Sequence, residues 1–157
     1  MLGSFAVGKT SLVQRFVNSI FSEKYHTTIG VKIDQKRVQV ENTEVNLMLW
    51  DIHGEDEFQK VKPAYVMGAS GYFIVLDGTR RNTVQKGMEL QQMVQKTIGE
   101  VPYLILVNKS DLKEQWELHD DDLALLREKG TPVLLTSAKT GEAVEQAFVE
   151  LTRQMLK

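Results

Sequence analysis

The sequence predicts a doubly wound α/β domain, and three observations carry that prediction. Short runs of strand character alternate along the chain with segments of helical periodicity. Two of the runs, Tyr72-Phe73-Ile74-Val75-Leu76 and Tyr103-Leu104-Ile105-Leu106-Val107, are apolar throughout. Parallel strands covered on both faces need that composition. A glycine-punctuated run over residues 3–10 passes directly into a helical pattern, as a strand–loop–helix unit does.

Taken in order, Met1-Leu2 leaves room only for the stub of the strand that normally leads into such a loop, so the first strand reads as truncated. A central strand missing outright would leave its neighbours unpaired and weaken the domain. Residues 9–18 form the first helix, with Leu12, Val13, Phe16 and Val17 on one face. Residues 32–40 and 44–50 suggest an antiparallel pair with Glu41-Asn42-Thr43 as the turn. The remaining strands are residues 71–76, 103–107 and 133–136, and the remaining helices 84–98, 120–129 and 142–156. The third helix has acids in its first turn and Gly130 just past its end. The last places Val144, Phe148, Leu151 and Met155 at helical spacing. The expectation is a mostly parallel sheet with one antiparallel strand and helices on both faces, forming a single domain over residues 1–157.

Composition narrows the functional classes. A net charge of −2 gives no basic field for nucleic acid or an anionic membrane, so neither is expected as a partner. The absence of cysteine excludes disulfides, thiolate metal sites and a C-terminal prenyl anchor within this chain. No apolar run approaches the roughly 20 residues of a membrane span and no signal peptide opens the chain, which suggests a cytoplasmic location. His26, His53 and His119 are scattered and form no metal pattern.

Gly3-Ser4-Phe5-Ala6-Val7-Gly8-Lys9-Thr10 fits G-x-x-x-x-G-K-[ST]. Its glycines let the backbone curl so that N–H groups face phosphates at a helix N-terminus. Ser4, Phe5, Ala6, Val7, Gly8, Lys9, Thr10 and Ser11 are the candidate contacts. Lys9 would reach the β- and γ-phosphates, and the Thr10 hydroxyl would bind magnesium. The bland alternative is a glycine turn opening a helix, but a lysine in the first turn opposes the helix dipole.

Asn108-Lys109-Ser110-Asp111 follows an apolar strand, at the carboxyl edge where α/β sheets bind ligands. A carboxylate at Asp111 can accept from the ring N–H and exocyclic amine that guanine carries and adenine lacks. The Lys109 stem would lie along the purine. Ser137-Ala138-Lys139, after another apolar strand, could present the Ala138 N–H to the guanine carbonyl. Either segment alone is weak and reads equally as a polar loop. Three signals in this order, each after a strand, point to guanine-nucleotide binding.

These motifs resemble those of Ras-superfamily small GTPases, and the resemblance is nearest to Rab proteins. It covers the whole chain except the first strand and implies a P-loop G domain. Thr28-Ile29-Gly30 and Trp50-Asp51-Ile52-His53-Gly54-Glu55 resemble the two Rab switch segments, and Tyr65-Val66-Met67-Gly68-Ala69 the stretch after the second. Trp50 and Tyr65 match two members of the Rab aromatic triad, with Ile33 where the third is usually phenylalanine. The resemblance implies GTP or GDP as ligand and Mg2+ held by Thr10, by Thr28 and, through water, by Asp51. It implies that the Gly54 N–H meets the γ-phosphate and that Phe21 stands against the base. Effectors, exchange factors and activating proteins are the partners it implies, at the switch segments. Trp50 and Tyr65 read equally well as packing residues, His53 as structural, Trp116 as a loop anchor and Asp120-Asp121-Asp122 as a helix N-terminus.

Two departures from the family bear on catalysis. Glu55 stands where the family usually has the glutamine that orients the attacking water, and Phe5 where it usually has a small residue. A carboxylate cannot donate to that water, and a ring crowds the space around the γ-phosphate. The expectation is a magnesium-dependent switch hydrolysing GTP slowly, with Lys9, Gly54 and Glu55 as catalytic candidates. Three readings stay open beside it. One is a hydrolysis-deficient scaffold, another a P-loop ATPase or small-molecule kinase, which Asp111 opposes, and the third a domain cut from a larger protein.

Overall fold

The structure, a computed structural model, describes residues 1–24, 26–57 and 59–157. Its elements run β1 (Leu2–Gly3), α1 (Lys9–Asn18), β2 (Val31–Val40), β3 (Thr43–Ile52), β4 (Tyr72–Asp77), α2 (Asn82–Ile98), β5 (Tyr103–Asn108), α3 (Asp120–Arg127), β6 (Val133–Leu135) and α4 (Val144–Met155). Among the described residues a four-stranded parallel sheet is ordered β1-β4-β5-β6, and β2 and β3 form an antiparallel hairpin. The hairpin joins the sheet alongside β1, where Ser4 bridges Glu55 in parallel sense and the Met1 amine donates to Trp50 O at 2.9 Å. The expected mostly parallel arrangement with one antiparallel strand is therefore present.

Strand alternation distributes the core to two faces. Phe73, Val75, Leu104 and Leu106 point to one side, against Leu12, Val13 and Phe16 of α1 and Ala147, Phe148 and Leu151 of α4. Tyr72, Ile74, Leu76, Ile105 and Val107 point to the other, against Leu90 and Val94 of α2 and Leu123 and Leu126 of α3. The apolar runs at 72–76 and 103–107 are continuous because both faces are covered.

Some boundaries differ from those the pattern predicts. The hairpin turn is two residues, Glu41-Asn42, because Thr43 already pairs with Val40; Glu41 makes the reversal at φ 54°. Helix α2 begins two residues earlier than its apolar pattern, at Asn82, and α3 ends at Arg127. Two short helical turns, Pro63–Val66 and Ser110–Gln115, are too brief to show a period and so leave no mark on the pattern. Trp116 is a loop anchor: its indole donates to Lys109 O at 2.8 Å, and its ring fills the space where a Cβ on Gly78 would stand. Asp120, Asp121 and Asp122 form the first turn of α3, where Asp122 accepts from the His119 N–H at 2.8 Å. Among the described residues no helix is long and apolar enough to cross a membrane.

Candidate functional site

The carboxyl ends of β1, β5 and β6 converge on a cleft of about 570 Å³. Its walls bring together residues more than a hundred positions apart in sequence. Phe5, Ala6, Gly8, Lys9, Thr10 and Ser11 come from the glycine loop, Asn108, Lys109 and Asp111 from the loop after β5, and Ala138 and Lys139 from the loop after β6. Phe21, Thr28 and Gly54 also line it, with His26 and Gln59 among further contributors. Ser4, Val7, Asp51, Glu55 and Ser137 stand outside the lining, each engaged with residues that do line it or that support it.

Loop curvature follows from residue size. Gly8 begins α1 at φ 103°, and a Cβ there would lie 2.2 Å from Asn108 Nδ2. Ala6 also takes a positive φ, 61°. The loop's carbonyls are tied back to the sheet. Arg80 donates to Phe5 O at 2.7 Å, Lys109 to Ala6 O at 3.1 Å and Asn108 Nδ2 to Val7 O at 2.9 Å. Because a trans peptide directs C=O and N–H oppositely, carbonyls held outward turn amides inward. The Val7 side chain is fully buried in the core, so Val7 can meet the cleft only through its backbone.

Asp77, which belongs to none of the sequence motifs, anchors two of those donors. Its buried carboxylate meets Lys109 Nζ at 2.7 Å and Arg80 Nε at 3.0 Å, and accepts from Thr79 Oγ1 at 2.7 Å. Burial alone would raise its pKa, but the hydrogen bonds from Lys109, Thr79 and Arg80 carry it below the ordinary carboxylate range. The one signal for it in the sequence is an acid ending an apolar strand at the ligand-binding edge. Lys109 is consequently engaged at its head by Asp77 and Ala6 O while its stem stays on the cleft wall.

Lys9 is buried, with Nζ donating to Gly3 O at 3.2 Å and Ser4 O at 2.8 Å. Burial lowers its pKa from 10.5 to about 8, against the pull of Asp51 and with a further push from Arg80. Thr10 Oγ1 lies 2.6 Å from both Thr28 Oγ1 and Asp51 Oδ2, so three oxygens expected around a cation are already gathered. The other oxygen of this buried carboxylate, Asp51 Oδ1, has no hydrogen-bond partner among the described residues. Burial raises the Asp51 pKa despite the Thr10 hydrogen bond. A hard-oxygen set with an orphaned carboxylate oxygen fits a small divalent cation.

Gly54 backs directly onto the glycine loop: a Cβ there would stand 2.4 Å from Phe5 Cα. Gly54→Ala should therefore cost about 1–3 kcal/mol in denaturant unfolding, as overpacking does. An unchanged midpoint would contradict the contact. Glu55 takes a different direction from the cleft. Its carboxylate accepts from Val61 N at 3.0 Å and pairs with Lys86 at 3.4 Å and Lys60 at 3.6 Å. His53 is buried edge-on to Tyr65, with Nδ1 3.3 Å from Gly54 O, which fits the structural role. Trp50 and Ile33, cross-strand partners on β3 and β2, are both about half exposed.

At the other end of the cleft, Asp111 accepts from Ser137 Oγ at 2.7 Å, which joins the loops after β5 and β6. Asn108 Oδ1 accepts from Thr136 Oγ1 at 3.2 Å. Lys139 pairs across the cleft mouth with Glu23 at 2.9 Å.

A glycine loop running into a helix N-terminus, with polar loops at neighbouring strand ends, is the architecture of a P-loop domain. The sequence matches the Ras family over residues 1–157. It is 33% identical over 154 residues to Ras-related protein SEC4 of Saccharomyces cerevisiae, across 98% of this chain and 72% of that protein. It is 34% identical over 162 aligned positions to Ras-related protein Rab-13 of Canis lupus familiaris, across 99% of this chain and 78% of that protein. The chain belongs to the Ras family, and its relatives are Rab-like. Membership supports the role of a GTP-binding switch.

Proposed function

We propose that the protein binds GTP and GDP with magnesium and hydrolyses GTP slowly, its switch segments changing with the nucleotide. The observation that carries this reading is the meeting of three sequence-distant motifs on one cleft. The phosphate-loop amides and Lys9 face the phosphates, Asp111 takes the guanine N–H groups, and Ala138 offers an N–H to the carbonyl. Ser4 and Ser11 flank the phosphates, Val7 and Ser137 support the contacts from behind, and Phe21 lies along the base.

Mg2+ would be held by Thr10, Thr28 and, through water, Asp51, and when bound it would neutralise phosphate charge. The orphaned Asp51 Oδ1 supports that assignment. The reaction is in-line transfer of the γ-phosphoryl group to water, in which Lys9 and backbone N–H groups stabilise charge on the phosphate oxygens. The Gly54 N–H belongs to that set, so loss of the γ-phosphate releases the second switch. Effectors and regulators would read the half-exposed Ile33 and Trp50, with the more buried Tyr65 beside the second switch.

Slow turnover has two supports. Glu55 is held by Lys86, Lys60 and the Val61 amide and contributes nothing to the cleft wall, while the partly exposed Phe5 lines it. The same geometry favours a second reading, a scaffold that keeps GTP. Single-turnover GTP time courses separate the two. Slow, magnesium-dependent GDP formation that accelerates several-fold in Phe5→Gly or Glu55→Gln is the expected result. Complete retention of GTP selects the scaffold, and rates indifferent to both substitutions contradict this explanation of slowness.

A further inference from the structure

We infer that Arg15, on the helix after the phosphate loop, is a positioning residue that sets how sharply the guanine carbonyl is read. The inference rests on the guanine-nucleotide reading proposed above and deepens it.

Arg15 reaches 123 residues along the sequence to donate from Nε to Ala138 O at 2.7 Å. A second donor, Nη2, goes to Lys139 O. Two consecutive carbonyls are thus drawn toward α1 by one planar, rigid fork, a match that a lysine ammonium cannot reproduce. Gly141, at φ 87°, is a turn position that favours glycine, and the Arg15 stem packs beside it at van der Waals distance.

The peptide planes carry the consequence. With the Ala138 carbonyl turned to Arg15, the Lys139 N–H points to the opposite side of the same trans peptide. Ala138 and Lys139 line the cleft and Arg15 does not, so the fork grips the segment from behind. The Ser137–Ala138 plane, which carries the Ala138 N–H, is fixed separately by Gly141 N donating to Ser137 O at 2.8 Å. The Lys139 carbonyl continues the chain of restraint. Across its peptide, the Thr140 N–H donates to Ser137 Oγ at 3.1 Å, and that hydroxyl donates to Asp111 Oδ1 at 2.7 Å. A single guanidinium therefore restrains the Lys139 donor beside the separately held Ala138 donor and, one hydroxyl further, the carboxylate that meets the ring N–H. It also links this end of the cleft to the helix that begins at the phosphate loop.

The test compares affinities for GDP and 6-thioguanosine diphosphate, which differ in the acceptor offered to the Ala138 and Lys139 amides and keep the ring N–H and amine. The unaltered protein should prefer GDP. In Arg15→Met the GDP affinity should fall at least about threefold, as for a misdirected hydrogen bond, and the preference over the thio analogue should shrink toward unity. Arg15→Lys, which can hold one carbonyl at a time, should recover part of the preference. A merely structural role would weaken both nucleotides alike. A preference unchanged in Arg15→Met, or unchanged in Arg15→Gln if the methionine variant does not fold, overturns the inference and leaves guanine binding intact. Failure of the unaltered protein to bind GDP overturns the underlying reading instead.

Discussion

Replacing Asp111 by alanine should lower GDP affinity by roughly a thousandfold, with little effect on stability. The carboxylate stands on an exposed stretch at the cleft wall, where it accepts from the Ser137 hydroxyl. Truncation leaves that O–H free to donate to water, while its oxygen still accepts from the Thr140 N–H. The large loss comes from the ligand, because guanine's ring N–H and amine then lie against a wall with no acceptor. Asp111→Asn sharpens the case: an amide offers one acceptor and one donor, so a purine with a carbonyl in place of the amine, xanthine, should gain what guanine loses. Calorimetric titration with GDP, XDP and ADP checks the ordering. A GDP affinity unchanged in Asp111→Ala would remove Asp111 from the base site.

The second large effect is pH-linked and centres on Lys9. In the nucleotide-free protein burial holds its pKa at about 8, below its ordinary 10.5. Between those values the unfolded chain binds more protons than the folded one, so stability of the nucleotide-free protein rises with pH through that window. Below about pH 8 both states are protonated and that increment is gone. Phosphate oxygens reverse the local balance, since they favour the ammonium and raise its pKa. Binding then takes up a proton above about pH 8, and GDP affinity should fall as pH rises there, by up to tenfold per unit. Lys9→Met should lower affinity by about 10²–10³-fold, remove this component of the pH dependence, and leave the nucleotide-free protein no less stable at neutral pH. Parallel pH titrations of the two proteins make the comparison. An identical pH profile in Lys9→Met would show that another group titrates.

The elements legible in the sequence are those with a strong period or a demanding stereochemistry. The apolar strands ending at Asp77 and Asn108, helix α1 after its glycine loop, and α4 with its apolar stripe fall in this class. The short helical pieces at Pro63–Val66 and Ser110–Gln115 do not, because four to six residues are too few to show a period. At the site, contacts made through fixed spacing are visible: Lys9, Thr10, Asp111 and Ala138 all lie where their motifs put them, on one cleft. Contacts made through the fold are not. Asp77 supports the loop only because β4 lies beside β1, and Arg15 reaches Ala138 only because α1 stands beside the loop after β6. Glu55 illustrates the converse. Its place in the motif suggests the cleft, but Lys86 on α2 and Lys60 offer the carboxylate two cations on the other side.

Everything proposed for the site depends on the cleft holding a guanine nucleotide by its base as well as its phosphates. The most direct test is calorimetric titration of nucleotide-stripped protein with GDP and with ADP in the presence of magnesium. GDP should bind at one site per chain, with an ADP affinity weaker by a factor of about 10³ or more. Equal affinity for the two nucleotides, or binding of neither, would contradict it.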